Sequence, residues 1–161
     1  MTRWIVAAAL ACVWAFGAAA QDRGERLVIG VTQYPNNLHP LIDSLLAKSY
    51  VLGLARRPLT ADDQLWETTC MLCVELPTFE NGLAERIALA DGGEGVALTF
   101  NIQPAASWAD GTPVTAEDAV FTWRVGADPR VGAANLTLFQ RIETVEIVDE
   151  KTFTMRINLL D

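Results

Sequence analysis

The stretch Ser107–Trp123, SWADGTPVTAEDAVFTW, decides the fold of this 161-residue chain. Its first half predicts a tight turn, because Asp110-Gly111 supplies a flexible corner and Pro113 fixes one backbone angle. The turn leads directly into a helical pattern. The pattern of this stretch therefore predicts a turn followed directly by a helix.

The second half of this stretch predicts a capped helix. Thr115 is the expected N-cap, and Asp118, three residues later, is placed to bond back to the cap. The apolar pair Val120–Phe121 is predicted to face the core. Gly126 and Pro129 are predicted to end the helix.

Alternating apolar residues of β-branched type predict strands elsewhere along the chain. The predicted strands are Arg26–Thr32, Leu83–Leu89, Val96–Ile102, Ile142–Val148 and Thr152–Asn158. The second and third flank the turn sequence DGGEG and predict one hairpin, with a helix at Leu83–Leu89 as the alternative, and the last two predict another hairpin.

One further helix is predicted at Ala47–Arg56, ended by Pro58. The prolines and asparagines of residues 33–40 predict a loop before it, and the polar run Leu59–Glu67 after it is predicted to be irregular. Helices and strands in this order predict an α/β chain of the mixed α+β class.

The N-terminus has the pattern of a cleavable signal peptide over residues 1–20. A short positive start ending at Arg3 precedes the apolar run Trp4–Phe16, and cleavage is predicted after Ala20. A membrane anchor and a lipid anchor at Cys12 are the alternatives. The leader predicts a periplasmic protein whose folded part begins at residue 21.

Cleavage would leave two cysteines, Cys70 and Cys73, in an oxidising compartment, which favours a disulfide between them. A redox-active C-x-x-C motif is the alternative, and it would make the chain an exported thiol oxidoreductase. A zinc site would need two more ligands, which a single histidine, His39, cannot supply.

The sequence lacks the patterns of the common enzyme and nucleotide-binding sites. No G-x-S-x-G elbow, Walker A loop or dinucleotide fingerprint is present, so no catalytic residue, metal or cofactor is predicted. The formal net charge is −8, with 12 Lys and Arg against 20 Asp and Glu, which argues against nucleic acid as a partner. An exported acidic chain without catalytic groups points to a binding protein.

The stretch Ser107–Trp123 resembles the signature of the family 5 extracellular solute-binding proteins, the peptide-binding components of bacterial ABC importers. The matching residues are Trp108, Asp110, Gly111, Pro113, Thr115, Ala116, Asp118, Phe121 and Thr122. Ala119 departs from the pattern, where the family has valine. The segments LVIGVTQYPNNLHPLID, GLARRPLT and ELPTFENGLA are also similar to family segments, although His39 stands where aspartate is usual.

The resemblance implies a fold like that of type II periplasmic binding proteins, with a ligand held between two lobes. It implies that the signature is scaffold, and that the loop after the first strand borders the cleft. The candidate ligand contacts are then Tyr34, Pro35, Asn36 and Asn37, and the alternative is that these residues only turn the chain. The implied partners are a peptide or similar small solute and an inner-membrane ABC permease. Binders of nickel, opines or glycans with the same fold are the alternative.

Family members are several times longer than this chain, so the resemblance implies an N-terminal fragment with an incomplete first lobe. Two consequences are expected. Residues 21–161 alone would bind peptides weakly or not at all, because one face of the cleft is missing. The last predicted strand, Thr152–Asn158, would have an open edge.

Overall fold

The computed structural model describes residues 28–89 and 92–158, so the predicted signal peptide and Cys12 lie outside the described residues. The helices are α1 (Leu46–Ala55), α2 (Ala116–Ala127) and α3 (Leu136–Gln140), with a 3₁₀ turn at Pro129–Val131. The strands are β1 (Thr60–Asp62), β2 (Thr68–Cys70), β3 (Ala84–Ala88), β4 (Glu94–Asn101), β5 (Ile142–Ile147) and β6 (Thr152–Asn158). The predicted helix at Ala47–Arg56 and both predicted hairpins are confirmed.

The predicted first strand is wrong over residues 28–32, and its first two residues lie outside the described range. None of these five residues is in a strand, and Val28, Ile29 and Val31 are exposed. An alternating pattern gives a strand only where a neighbouring strand pairs with it, and residues 28–32 have no such partner in the described part of the chain.

The four longer strands form one antiparallel sheet in the order β3-β4-β6-β5. The two hairpins join through β4 and β6, which are the longest strands. The expectation that Thr152–Asn158 has an open edge is therefore wrong, because β6 is hydrogen-bonded on both sides. The edges of this sheet, within the described residues, are β3 and β5.

The apolar core lies on one face of this sheet. Phe100 of β4 and Phe153 of β6 are register partners, and their rings stack with centroids 5.6 Å apart. Thr99 and Thr154, the next pair along, point to the opposite face and share a hydrogen bond of 2.9 Å between their hydroxyls. The period of two along each strand thus separates the core from the polar face.

Helix α2 covers the core with a narrow stripe. Ala116 and Val120 are buried, and Ala119 and Trp123 pack against the same cluster, which is the spacing of one helix face. Phe121 is one residue, or about 100°, away from Val120 and is 68% exposed, so the prediction that it faces the core is wrong.

The end of α2 differs in part from the prediction. Pro129 begins the 3₁₀ turn just beyond the helix, as expected of a terminator. Gly126, however, lies inside the helix and is buried. A Cβ added there would come within 2.5 Å of the Phe139 ring. The glycine therefore allows α3 to pack closely against α2, rather than ending the helix.

The predicted irregular segment Leu59–Glu67 contains a strand. β1 and β2 pair antiparallel, and the Asp63 carboxylate closes their turn by accepting the backbone N–H groups of Leu65 and Glu67. The prediction failed because these short polar strands lack the apolar alternation that marks a half-buried strand.

Candidate functional site

The loop at residues 33–45 leads into α1 and contains all four residues predicted to contact a ligand. Tyr34 is 89% exposed, and neither its side chain nor that of the exposed Asn36 bonds to another described residue. Pro35 and Asn37 are partly buried. The first half of the loop therefore presents an aromatic ring and an amide to solvent.

The Asn37 side chain is bonded within the loop. Its amide nitrogen donates to Asp43 Oδ2 at 2.8 Å, and its carbonyl oxygen accepts the His39 backbone N–H at 2.9 Å. His39 Nδ1 in turn accepts the Leu41 backbone N–H at 3.2 Å. The histidine thus has a structural partner in the loop, and Asn37 keeps one amide N–H for another contact.

Lys48, in the first turns of α1, reaches back into the same loop and is 3% exposed. Its Nζ donates to the backbone carbonyl oxygens of His39 at 3.1 Å and Asp43 at 2.8 Å, and also to that of Ile42. It forms an ion pair with Asp43 Oδ1 at 2.7 Å. Three N–H bonds are thus shared among four oxygens, all within five residues of the chain.

Asp43 connects these contacts. Its backbone has φ of 52°, in the left-handed region that aspartate tolerates better than most residues. The hydrogen bond from Lys48 lowers the pKa of the Asp43 carboxyl below its ordinary value of 3.8, and that from Asn37 lowers it further. The ionised carboxylate therefore accepts from both side chains, one on each oxygen.

Lys48 was not among the predicted site residues. The available signal was a lone cation in the apolar run LLAKSYVLGLA, five residues after an aspartate. A charged residue in such a run is either turned to solvent or paired, and the sequence alone does not distinguish the two.

The signature stretch is bonded mainly to itself. Asp118 Oδ2 accepts the Thr115 backbone N–H at 2.8 Å, and the Thr115 side chain accepts the Asp118 backbone N–H, so the predicted capping box is confirmed. The same carboxylate oxygen accepts the Trp108 indole N–H at 3.4 Å. Asp110 accepts the Thr112 backbone N–H at 2.9 Å, and Gly111 has φ of 89° at the predicted corner. These contacts lie within the signature stretch itself, and the predicted turn is present.

Cys70 and Cys73 are joined by a disulfide, with their Cα atoms 5.1 Å apart. Cys73 is fully buried in the core cluster and pairs with Ile102, whereas Cys70 ends β2. The bond therefore ties the small hairpin to the edge of the main core.

Within the described residues, no three His, Cys, Asp or Glu side chains are grouped in a way that could hold a metal ion. In the same residues, no helix has the length and apolar character needed to cross a membrane.

A model of the bacterial extracellular solute-binding proteins, family 5, matches residues 78–159, just over half of the chain. The chain belongs to this family. The match begins before β3 and includes the signature, both hairpins and α2, which confirms the resemblance of Ser107–Trp123.

Two curated proteins of Escherichia coli are similar to parts of the chain. The periplasmic oligopeptide-binding protein OppA of Escherichia coli is 36% identical over 50 residues, which are 31% of this chain and 9% of OppA. The probable deoxycholate-binding periplasmic protein YgiS of the same species is 38% identical over 50 residues, again 31% of this chain and 9% of the relative. Both relatives are periplasmic binding proteins.

A solved family structure is similar over a longer stretch. The oligopeptide-binding protein of Thermus thermophilus, crystallised with a pentapeptide, superposes with a TM-score of 0.64 at 28% identity. The superposition covers 72% of this chain and 19% of that protein. The predicted mixed α+β fold of type II periplasmic binding proteins is confirmed, and the chain spans only part of it.

Proposed function

We propose that this chain acts in the substrate-binding component of a bacterial ABC importer, which captures peptides in the periplasm and passes them to an inner-membrane permease. The match of residues 78–159 to family 5 carries the proposal. The similarity to OppA and to the pentapeptide-bound Thermus protein supports peptides as the ligand class.

The proposed ligand contacts are Tyr34, Pro35, Asn36 and the remaining amide N–H of Asn37. Tyr34 supplies a large exposed ring that loses little conformational entropy on binding. Asn36 and Asn37 supply the donors and acceptors that a peptide backbone requires. The rest of the binding surface, on this proposal, comes from backbone groups and from the facing lobe of the two-lobed fold.

Calorimetric titration of the native protein, isolated from the periplasm of the cells that produce it, tests the proposal. The ligand is an equimolar mixture of di- to pentapeptides. We expect one peptide bound per protein that carries both lobes, and weak or no binding by residues 21–161 alone. Tyr34→Ala should weaken binding at least tenfold. Phe121→Ala is the matched control, since it removes another exposed aromatic ring from the scaffold helix. Equal affinity in both variants would exclude Tyr34 as a contact.

A steroid-like solute is the second candidate, favoured by the similarity to YgiS. Deoxycholate, titrated in the same way, separates the two ligand classes. Heat on addition of deoxycholate, together with none on addition of peptides, would replace the peptide proposal with this one.

The thiol oxidoreductase alternative has little support from the surroundings of Cys70 and Cys73. A reactive thiol needs exposure and a feature that stabilises the thiolate, such as a helix N-terminus. Cys73 is fully buried, and Cys70 lies at the end of a strand. An insulin-reduction assay distinguishes the two functions. Turnover by the native protein that is lost in Cys70→Ser would show that the chain is a thiol oxidoreductase.

Export is proposed to follow from cleavage after Ala20. N-terminal sequencing of the periplasmic protein should then begin at Gln21. A lipid-modified Cys12 at the N-terminus would instead establish a lipoprotein.

A further inference from the structure

The buried ammonium of Lys48 holds the loop on which the proposed ligand contacts lie. Its acceptors are the backbone carbonyls of His39, Ile42 and Asp43 and one Asp43 carboxylate oxygen. Converging carbonyl dipoles repel one another unless a cation or donor lies between them. Lys48 therefore holds the carbonyls of His39, Ile42 and Asp43 together and supports the curvature of the loop at residues 39–43.

Lys48 is connected to the proposed contact residue Asn37 by hydrogen bonds through Asp43. One Asp43 oxygen pairs with Lys48, and the other accepts from the Asn37 amide. The Asn37 carbonyl oxygen in turn accepts from the His39 backbone, whose own carbonyl returns to Lys48. These bonds form a closed ring of Lys48, Asp43, Asn37 and His39, with Tyr34 and Asn36 directly before it.

A second anchor holds only the far end of the loop. The Leu41 carbonyl accepts the Ala134 backbone N–H at 2.8 Å, close to the start of α3. This bond does not involve Asn37 or the residues before it. Removing Lys48 should therefore release the half of the loop that bears the contacts, and leave the end near Leu41 attached.

We propose that Lys48 is a positioning residue for ligand capture: through Asp43 it holds residues 34–39 in their binding shape before a ligand arrives. This inference rests on the proposed function. A loop ordered in advance loses less entropy on binding, so its affinity is higher than that of the same contacts on a free loop. Lys48 itself need not touch the ligand.

Hydrogen exchange of the full chain, followed by mass spectrometry, tests the positioning without any ligand. In Lys48→Met, the hydrogen-bonded backbone amides of this loop, those of His39, Leu41 and Leu45, should exchange at least tenfold faster, while those of β4 and β6 stay protected. Arg130→Met is the matched control, because Arg130 forms an ion pair with Asp128 of 2.6 Å but is 90% exposed. Unchanged exchange in residues 34–45 of Lys48→Met would overturn the proposal.

Should Lys48→Met fail to fold, Asp43→Asn provides the same readout, with a smaller acceleration expected. It removes the ion pair, leaves the three backbone carbonyls on Lys48, and keeps a residue that tolerates a positive φ. Unchanged exchange in this variant would then count against the proposal.

Peptide titration then separates positioning of the site from stability alone. We expect Lys48→Met to bind the di- to pentapeptide mixture at least tenfold more weakly than the native protein, with Arg130→Met unaffected. A loosened loop with unchanged affinity would overturn the role in capture. If the native protein binds no peptide at all, the proposed function fails, and exchange alone then decides whether Lys48 holds the loop.

Discussion

Residues 33–72 and residues 73–158 are held together in different ways. The second region contains the whole buried cluster around Phe100, Val145 and Phe153, and its strands pair over long ladders. Between residues 33 and 72, all of which are described, Ala47 and Lys48 are the two buried residues. The first region is therefore held by polar contacts to a few side chains, and the second by burial of apolar surface.

This difference has a consequence for function. A packed sheet tolerates the loss of a single polar contact, because many other contacts keep its shape. A loop whose side-chain contacts meet at Lys48 and Asp43 should respond to a single substitution there and to the protonation of one carboxylate. Binding residues are commonly placed on such segments and supported by a rigid scaffold beside them.

The largest effect on stability is expected from Phe153→Ala, a substitution in the packed region. Phe153 is 2% exposed and stacks on Phe100, and truncation of a buried phenylalanine typically lowers the free energy of unfolding by about 4 kcal/mol. Urea denaturation measures the change. Phe121→Ala, at an exposed position, should stay within about 0.5 kcal/mol of the native protein. Similar losses in both variants would mean that the sheet does not carry the stability.

Cys70→Ala should have the next largest effect, because its disulfide links the two regions. Closing so short a loop contributes about 2 kcal/mol in the chain-entropy description. Denaturation of the native protein with a reductant present should reproduce the loss. A variant as stable as the native protein would indicate that the cysteines are unpaired in solution, and mass spectrometry after alkylation counts the free thiols.

A smaller effect is expected from Asp118→Ala in the signature. The substitution removes the capping contact to the Thr115 backbone and the contact to Trp108, and loss of a helix cap typically costs about 1 kcal/mol. Glu117→Ala serves as the control, since its exposed carboxylate acts only on the helix dipole and is worth a few tenths of a kcal/mol. An equal effect of the two substitutions would contradict a specific role for Asp118.

The smallest effect concerns pH and the loop alone. Because the folded pKa of Asp43 is lowered from 3.8, its contribution is complete above that value. The contribution is lost as the pH falls through the lowered pKa. The Asn37 side-chain amide resonance should titrate with a midpoint below 3.8, and this titration should vanish in Asp43→Asn. A midpoint at or above 3.8 would show that Lys48 does not pair with Asp43 in solution.

The sequence predicted the packed region better than the loop region, for a physical reason. Alternation along β4, β5 and β6 and the turn at Gly111 follow from local patterns, and the structure contains all of them. The position of Phe121 was predicted wrongly because Phe121 lies beside the apolar stripe of α2. The sequence showed two adjacent apolar residues, and it did not show which of them faces the core.

Three features depend on how segments fold back against one another, which the local sequence patterns did not predict. Glycine is a residue type that often ends helices, but Gly126 lies inside α2, where the Phe139 ring packs against it. β6 pairs on both sides because the two hairpins meet at their second strands. The burial of Lys48 depends on how the loop before α1 folds back over its side chain. The same fold of the loop sets the positions of the proposed ligand contacts.

The use of lysine in this chain has a practical consequence for amine chemistry. The sequence contains two lysines, and the side-chain amines of both donate hydrogen bonds to backbone carbonyls. Lys48 donates to carbonyls of the loop before α1, and Lys151 donates to those of Ala106 and Val114 at 3.3 and 2.6 Å. Acylating reagents should therefore modify the side-chain amines of the folded protein slowly and those of the unfolded chain quickly. Lys151 belongs to the packed region, whereas Lys48 lies in α1 and is buried against the loop. The two acylation rates, measured separately by peptide mapping, would therefore report the opening of each region in one sample.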